Sequence, residues 1–288
     1  MTLPALPYLK MNGIGNSILV VDTRTTAVAL TPEAARATAA LPGFGFDQLM
    51  VIEVPRSNGT DAYVTIFNAD GTEAGACGNG TRCVAWALTH GNHRAQLTVE
   101  TAAGRLDCRR LGPTRFSVDL GAPALNWPDI PLAEPVADTA DVPLAPVSGL
   151  PAAYARCVAV GMGNPHAVFF VPDVAQVPLA MLGPLVEHHP MFPQRTNVSF
   201  AEVLGRSEIR LRVWERSAGA TLACGSAACA SAVAAVRRNL TDRRVRVGLP
   251  GGVLDIEWRA GDGHVIMTGD VALEHAGLLP DALRAGLA

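Results

Sequence analysis

Along the chain, alternating or β-branched apolar runs broken by Gly, Pro and Asn dominate the pattern. They predict strands over Ser17–Asp22, Leu49–Val54, Ala62–Asn68, Gln96–Thr101, Arg105–Arg109 and Arg115–Leu120. A second set follows over Cys157–Val160, His166–Val171, Val198–Val203, Glu208–Trp214, Val245–Leu249, Val253–Trp258 and Val265–Gly269. Helical signals are fewer. Pro32–Ala40 has Thr31 as its N-cap and Pro at the first position, and Leu179–His188 is a second helix. Gly78–His90 and Gly225–Asn239 are apolar and Ala-rich on most sides, which marks them as buried. The expected fold is α/β of the α+β kind, with mostly antiparallel or mixed sheets wrapped around central helices.

Between Gly121 and Pro151 the strand pattern lapses and seven prolines accumulate, as at a boundary between halves. The halves resemble each other. Gly13-Ile14-Gly15-Asn16 returns as Gly161-Met162-Gly163-Asn164, and Gln48 has its counterpart in Asn197. Ala76-Cys77-Gly78 returns as Ala223-Cys224-Gly225, and Asn68 matches Glu215. Four matches in one order, separated by 147 to 149 positions, indicate an internal duplication. Two pseudosymmetric lobes follow: residues 1–122, and residues 123–271, with the tail 272–288 packing back on the first.

Composition narrows the function. Charged residues are 17% of the 288, the net charge is −3, and no basic excess exists to attract a phosphate backbone, so nucleic acid is not an expected partner. The uncharged run 217–236 is long enough to cross a bilayer but consists mainly of small residues, which suits a buried helix. With no signal-peptide pattern either, a cytoplasmic protein with no membrane contact is expected. Six cysteines include no C-x-x-C pair, and no metal site is expected. Lys10 is the sole lysine and no phosphate loop follows it, so no pyridoxal phosphate site is indicated. The glycines from Gly13 fail the dinucleotide fingerprint, whose third position holds Ile18.

Most free cysteines are buried packing elements, and Cys83, Cys108, Cys157 and Cys229 are expected to be so. Cys77 and Cys224 differ, because each stands just before a buried helix with a glycine after it. The first N–H groups of a helix lack intrahelical partners and present partial positive charge, so a thiol there is expected to have a lowered pKa. The same turn cradles an anion such as a carboxylate. Two such elements related by pseudosymmetry would face each other, and facing thiols suit stereoinversion: one takes an α-proton, the other returns a proton to the opposite face.

Asn68-Ala69-Asp70-Gly71 leading into Ala76-Cys77-Gly78-Asn79-Gly80-Thr81-Arg82-Cys83, and Glu215-Arg216 leading into Ala223-Cys224-Gly225-Ser226, resemble the two signatures of the diaminopimelate epimerase family. Met11–Asn16, Phe46-Asp47-Gln48, Gly163-Asn164-Pro165-His166 and Arg195-Thr196-Asn197-Val198 resemble its supporting motifs. The resemblance implies a cofactor-independent isomerase of LL- and meso-2,6-diaminopimelate in lysine synthesis, with the small amino-acid substrate bound between two similar lobes, and a homodimer. It implies that Cys77 and Cys224 are the acid/base thiols and that backbone N–H groups of Gly78, Asn79, Gly225 and Ser226 hold the reacting carboxylate. Asn16, Asn68, Asn164, Asn197, Glu215 and Arg216 would bind the far end, Gln48 would line the pocket, and His166 would sit near the thiols. The chain departs from the family pattern at Asn12 and Ser17, and at Ser217 and Ala227, where the family usually has glycine. The competing readings are another cofactor-independent racemase on the same fold, and a non-catalytic thiol switch closing a Cys77–Cys224 disulfide.

Overall fold

The computed structural model describes residues 6–26, 28–92 and 94–280, and the chain divides into two compact units, residues 1–119 with 268–288 and residues 120–267. Residues 281–288 of the expected returning tail lie outside the described residues.

The first unit contains strands β1 (Pro7–Asn12), β2 (Ser17–Asp22), β3 (Gln48–Glu53), β4 (Ala62–Asn68), β5 (Gln96–Thr101), β6 (Gly104–Arg110) and β7 (Arg115–Asp119), with helices α1 (Pro32–Ala39) and α2 (Gly78–Thr89). The second contains β8 (Val142–Pro143), β9 (Arg156–Gly161), β10 (Pro165–Phe170), β11 (Asn197–Gly205), β12 (Glu208–Glu215), β13 (Gly219–Thr221), β14 (Arg244–Leu249) and β15 (Gly252–Trp258), with α3 (Leu179–Glu187) and α4 (Gly225–Arg237). β16 (Val265–Asp270) leads back to the first unit, which β17 (Ala272–Leu278) completes.

The first sheet runs β17-β1-β2-β3-β4-β5-β6-β7, with β2–β3 and β4–β5 parallel and the other pairs antiparallel. Helix α2 packs against β1, β2 and β3 and also against β6 and β7, so the sheet curls around it. The second unit repeats the plan. β9–β10 is antiparallel, β10–β11 parallel, β11–β12 antiparallel, β12–β14 parallel and β14–β15 antiparallel, and all five of these strands beyond β9, with β9 itself, touch α4.

The register repeats as well. Ile18 pairs with Gln48 in the first unit and His166 with Asn197 in the second; Ala62 pairs with Val99, and Ile209 with Val247. Because strand side chains alternate in direction, a one-residue slip would turn each row to the other face. Matching registers therefore place corresponding side chains on corresponding faces. The mixed α+β architecture expected from the sequence is present.

Local chemistry explains the central helices. In α4 nearly every position from Gly225 to Ala235 is buried, and the Ala-rich sequence combines high helix propensity with a slender cylinder that strands approach closely. In α2, Gly80 stands where a Cβ would meet the Met50 side chain of β3 at 2.5 Å. Thr31 caps α1 as expected, accepting the Ala34 N–H. The uncharged run 217–236 divides into a turn, β13 and a 13-residue helix; no helix among the described residues is long and apolar enough to cross a membrane.

Four strands lie outside the sequence expectation: β1, β8, β13 and β17. β1 carries buried Lys10, whose ammonium donates to the Ser17 hydroxyl and the Gly45 carbonyl, so a strand that reads as interrupted is internally satisfied. β17 is exposed at nearly every position and shows no alternation; its ladder with β1 makes it a strand.

Helix α3 meets β12 at Gly183, where an added Cβ would lie 2.4 Å from Trp214. Gly183→Ala is expected to lower the unfolding free energy by about 1–3 kcal/mol, although alanine is the better helix former. Urea denaturation measures it, and a variant as stable as the parent would show that Trp214 shifts aside freely.

Candidate functional site

In the first unit Cys77 is the N-cap of α2, with extended backbone (φ −146°, ψ 105°). Its Sγ accepts the Gly80 N–H at 3.1 Å, and its carbonyl accepts both the N–H and the hydroxyl of Thr81 at 2.8 Å. That leaves the N–H groups of Gly78 and Asn79, which have no acceptor within an α-helix, as donors for an anion. The turn between β1 and β2 lies against this helix start: a Cβ on Gly13 would come within 3.2 Å of the Asn79 carbonyl.

That turn is tightly held. Ile14 and Gly15 take positive φ, Gly13 N–H donates to the Asn16 carbonyl, and Gly15 N–H donates to the Asn12 side chain at 2.6 Å. The Asn16 amide donates to Asp47 at 2.8 Å, and the same carboxylate oxygen accepts the Ser17 N–H at 2.7 Å. Gln48 and Asn68, paired across β3 and β4, are joined by a side-chain bond of 3.3 Å, and Asn68 donates onward to Thr72. The structure thus gathers Asn16, Gln48, Asn68 and Asn79 with Cys77 in one half.

In the second unit Cys224 is the N-cap of α4 (φ −137°, ψ 110°), so Gly225 and Ser226 supply the free helix N–H groups. Its Sγ lies 3.5 Å from the Ser226 hydroxyl. Cys224 is 5% exposed, whereas Cys77 is partly open. The expectation of a lowered thiol pKa is corrected here: burial, followed by the negative charge of Glu215, pushes Cys224 well above the ordinary thiol value. The Ser226 hydroxyl and the Ala227 N–H work in the opposite direction and are outweighed. Glu215 is therefore a neighbour of the thiol.

His166 is wholly buried, its Nε2 lies 2.8 Å from the Asn164 side-chain oxygen, and its Nδ1 has no hydrogen-bond partner. Burial, reinforced by the nearby Arg216 charge, lowers its pKa to about 3, so the ring is neutral. A neutral ring with a bare Nδ1 carries its proton on Nε2 and donates it to Asn164. Asn197 accepts the Arg216 N–H at 3.0 Å and donates to the Pro165 carbonyl at 3.1 Å. Asn164, His166, Asn197, Glu215, Arg216 and Ser226 thus gather with Cys224.

Cys83, Cys108 and Cys157 are buried with their thiols pushed up by desolvation, Cys83 to about 12, so each is inert. Two acids that support the site were not assigned from sequence, Asp47 and Glu187. Asp47 holds the Asn16 turn; its place directly before Gln48 was the available signal. Glu187 accepts the Ser217 N–H at 2.9 Å and the Trp214 indole N–H at 2.7 Å, and a lone carboxylate ending the apolar helix α3 was the corresponding signal.

A family model described as diaminopimelate epimerase matches residues 8–125 and 158–274. A diaminopimelate epimerase from Methylocella silvestris is 52% identical over 286 residues, covering 97% of each chain. One from Afipia carboxidovorans is 51% identical over 284 residues, covering 98% of this chain and 97% of the relative. Among solved structures, a predicted epimerase from Pseudomonas aeruginosa superposes with a TM-score of 0.68 at 21% identity, covering 95% of this chain and 99% of that one. A hydroxyproline epimerase from Agrobacterium vitis gives 0.67 at 14% identity, covering 97% and 92%. At those identities the structural likeness establishes the shared fold.

Two measurements probe the second half. Glu215→Gln removes a negative charge that opposes the Cys224 thiolate, so the pH dependence of Cys224 alkylation should move down by about one unit. Peptide-resolved iodoacetamide labelling reads this, and an unmoved profile would separate Glu215 from the thiol. The folded pKa of His166, about 3, lies below its ordinary 6.5, so the unfolded chain takes up the proton first as pH falls. Its contribution is intact above 6.5 and lost progressively down to about 3. His166→Gln should flatten the acid side of the stability curve in urea titrations; an identical slope would contradict a neutral buried ring.

Proposed function

The chain belongs to the diaminopimelate epimerase family, and on that premise we propose that it interconverts LL- and meso-2,6-diaminopimelate without a cofactor, with Cys77 and Cys224 as the two acid/base groups. The observation that supports this reading most directly is the recurrence of one device: a cysteine in extended conformation capping a buried helix, followed by a glycine.

In this reading the helix-start N–H groups of Gly78, Asn79, Gly225 and Ser226 bind the carboxylate at the reacting carbon. One sulfur, as thiolate, takes the α-proton; the electron pair of the broken C–H bond passes into the carboxylate, where those donors stabilise the growing charge. The other sulfur, as thiol, delivers its proton to the opposite face of the carbon and becomes the thiolate. Proton count and charge balance over the cycle, and the reverse reaction exchanges the roles.

The environments suit two different starting states. Cys224, opposed as a thiolate by burial and by Glu215, enters as the proton donor. Cys77 is more open, and the Gly80 N–H on its Sγ favours the charged form needed in a base. Because the Glu215 carboxylate lies at Cys224, it serves the reacting end in this reading. Arg216 offers a guanidinium fork to the distal carboxylate, and the side chains of Asn16, Asn68, Asn164 and Asn197 complete the recognition of a second amino-acid head. His166 orients the Asn164 amide by donating to its oxygen, which turns the NH2 group outward as a donor. Such a polar lining suits diaminopimelate better than a substrate with an apolar ring.

Reduced protein incubated with LL-diaminopimelate in deuterated water should give meso product with deuterium at the inverted carbon, read by NMR and chiral chromatography. Cys77→Ala and Cys224→Ala should each reduce turnover by about a hundred- to ten-thousandfold. Full activity in either variant would exclude the two-thiol mechanism. Failure to turn over diaminopimelate while a different amino acid exchanges its α-proton would reassign the substrate.

A further inference from the structure

The second half contains a buried carboxylate that the proposed reaction does not use. Glu187, the last residue of α3, is 4% exposed. Burial works against its charge, yet its pKa lies below the usual carboxylate value because the Trp214 indole N–H and the Ser217 N–H donate to it, with the His188 ring and the Arg195 guanidinium nearby. The Arg195 guanidinium and the His188 ring stand off at 3.8 and 3.9 Å, whereas the two N–H donors lie at 2.7 and 2.9 Å. A buried acid whose nearest partners are an indole and one backbone amide is placed to hold that amide.

The amide belongs to a turn that needs holding. Glu215 to Ala218 close a turn through the Ala218 N–H and the Glu215 carbonyl at 3.1 Å, and Ser217 takes φ +65° while Arg216 does not take positive φ. Positive φ at the third position alone is the pattern of a type II turn, which favours glycine there. Types I and II differ chiefly in the orientation of the central peptide plane, here the one joining Arg216 and Ser217. An acceptor fixed on the Ser217 N–H therefore selects one orientation of that plane. Asn197 takes the Arg216 N–H at 3.0 Å, so side chains from two other elements hold both central amides of the turn. Arg195 donates to the Ser217 hydroxyl at 3.3 Å. Trp214, the second donor to Glu187, packs so closely on α3 that a Cβ at residue 183 would lie 2.4 Å from its ring.

We propose that Glu187 is a positioning residue for the epimerase reaction: its buried carboxylate holds the Glu215–Ala218 turn with Ser217 in the left-handed region, so that Glu215 meets Cys224 and Arg216 meets the substrate. This rests on the assignment of Glu215 and Arg216 made under Proposed function. Without the acceptor, Ser217 gains by leaving the left-handed region, the central peptide turns over, and the directions of the flanking side chains change.

Glu187→Leu keeps the volume and removes both acceptor oxygens. It should retain its circular dichroism spectrum and lose about tenfold or more in kcat/KM for LL-diaminopimelate, the scale expected for losing a hydrogen bond to a charged group. Glycine adopts positive φ without strain, so adding Ser217→Gly should restore most of that activity, with Ser217→Gly in the native background as the reference. Rescue at residue 217 is what a merely space-filling role for Glu187 would not produce. If Glu187→Leu does not fold, Glu187→Ala, which also removes both acceptor oxygens, takes its place in the same pair of measurements. Native kcat/KM in the residue-187 variant, or a loss that Ser217→Gly leaves in place, overturns the proposal. Arg216→Ala is measured alongside: unchanged kcat/KM there overturns the assignment of the turn to the substrate, whereas a loss there with none at residue 187 overturns the role of Glu187 alone.

Discussion

The start of a helix buried inside a curled sheet carries backbone N–H groups that water cannot reach freely and that the helix itself cannot satisfy. Helices α2 and α4 both face that constraint, and in both the N-cap is a cysteine with extended backbone. A serine or aspartate would be the usual choice, since oxygen is the better acceptor. At Cys77 the sulfur accepts the Gly80 N–H, while the N–H groups of Gly78 and Asn79, like those of Gly225 and Ser226, have no acceptor within their helix. The thiol and the unpaired helix-start donors are thus consequences of one local geometry, and the surrounding strands are arranged so that this geometry recurs.

Recurrence of backbone has not brought identity of environment. Strand registers correspond between the units, but Gln48 and Asn68 in the first stand where Asn197 and Glu215 stand in the second, and Ile18 stands where His166 stands. The first half is lined by neutral amides around a partly open thiol. The second adds a carboxylate beside a buried one, and burial with that charge outweighs the helix-start donors. A duplicated frame thus holds two thiols in different surroundings, one partly open and one buried beside a carboxylate.

Much of this was legible in the sequence because it rests on local patterns. The bounds expected for β2, β4 and β5 agree with the structure, since alternation or a fully apolar run marks each. The two cysteine-capped helices follow from small-residue turns running into Ala-rich segments. β1 and β17 were not legible, because Lys10 interrupts one and exposure removes alternation from the other; tertiary pairing makes them strands. The direction of the Cys224 shift was equally hidden. Helix polarity can be read from position in the chain, but desolvation and the approach of Glu215 arise only on folding. Asp47 and Glu187 show the same limit: each supports a turn near in space and, for Glu187, distant in sequence from the residue it bonds.

Backbone conformation links these supports to the chemistry. Ile14, Arg195, Ser217 and Asn239 take positive φ without being glycine, and the first three lie one or two residues from Asn16, Asn197 and Arg216. Such conformations cost roughly 1–2 kcal/mol each for an L-residue and persist where neighbouring groups fix them. Around Ile14 the fixing groups are Asn12 and Asp47; around Ser217 they are Glu187 and Asn197. In each case the side chain of one residue satisfies the amide of another in a turn that then presents a polar group at a set angle. Flexible turns would lose entropy whenever a substrate ordered them, and the loss would recur in every turnover. Turns strained in advance and held by fixed acceptors, the exposed Asp47 and the buried Glu187, bear that cost once, during folding; under the proposed assignment of Asn16 and Arg216 to the substrate, the two carboxylates would support recognition without touching the ligand.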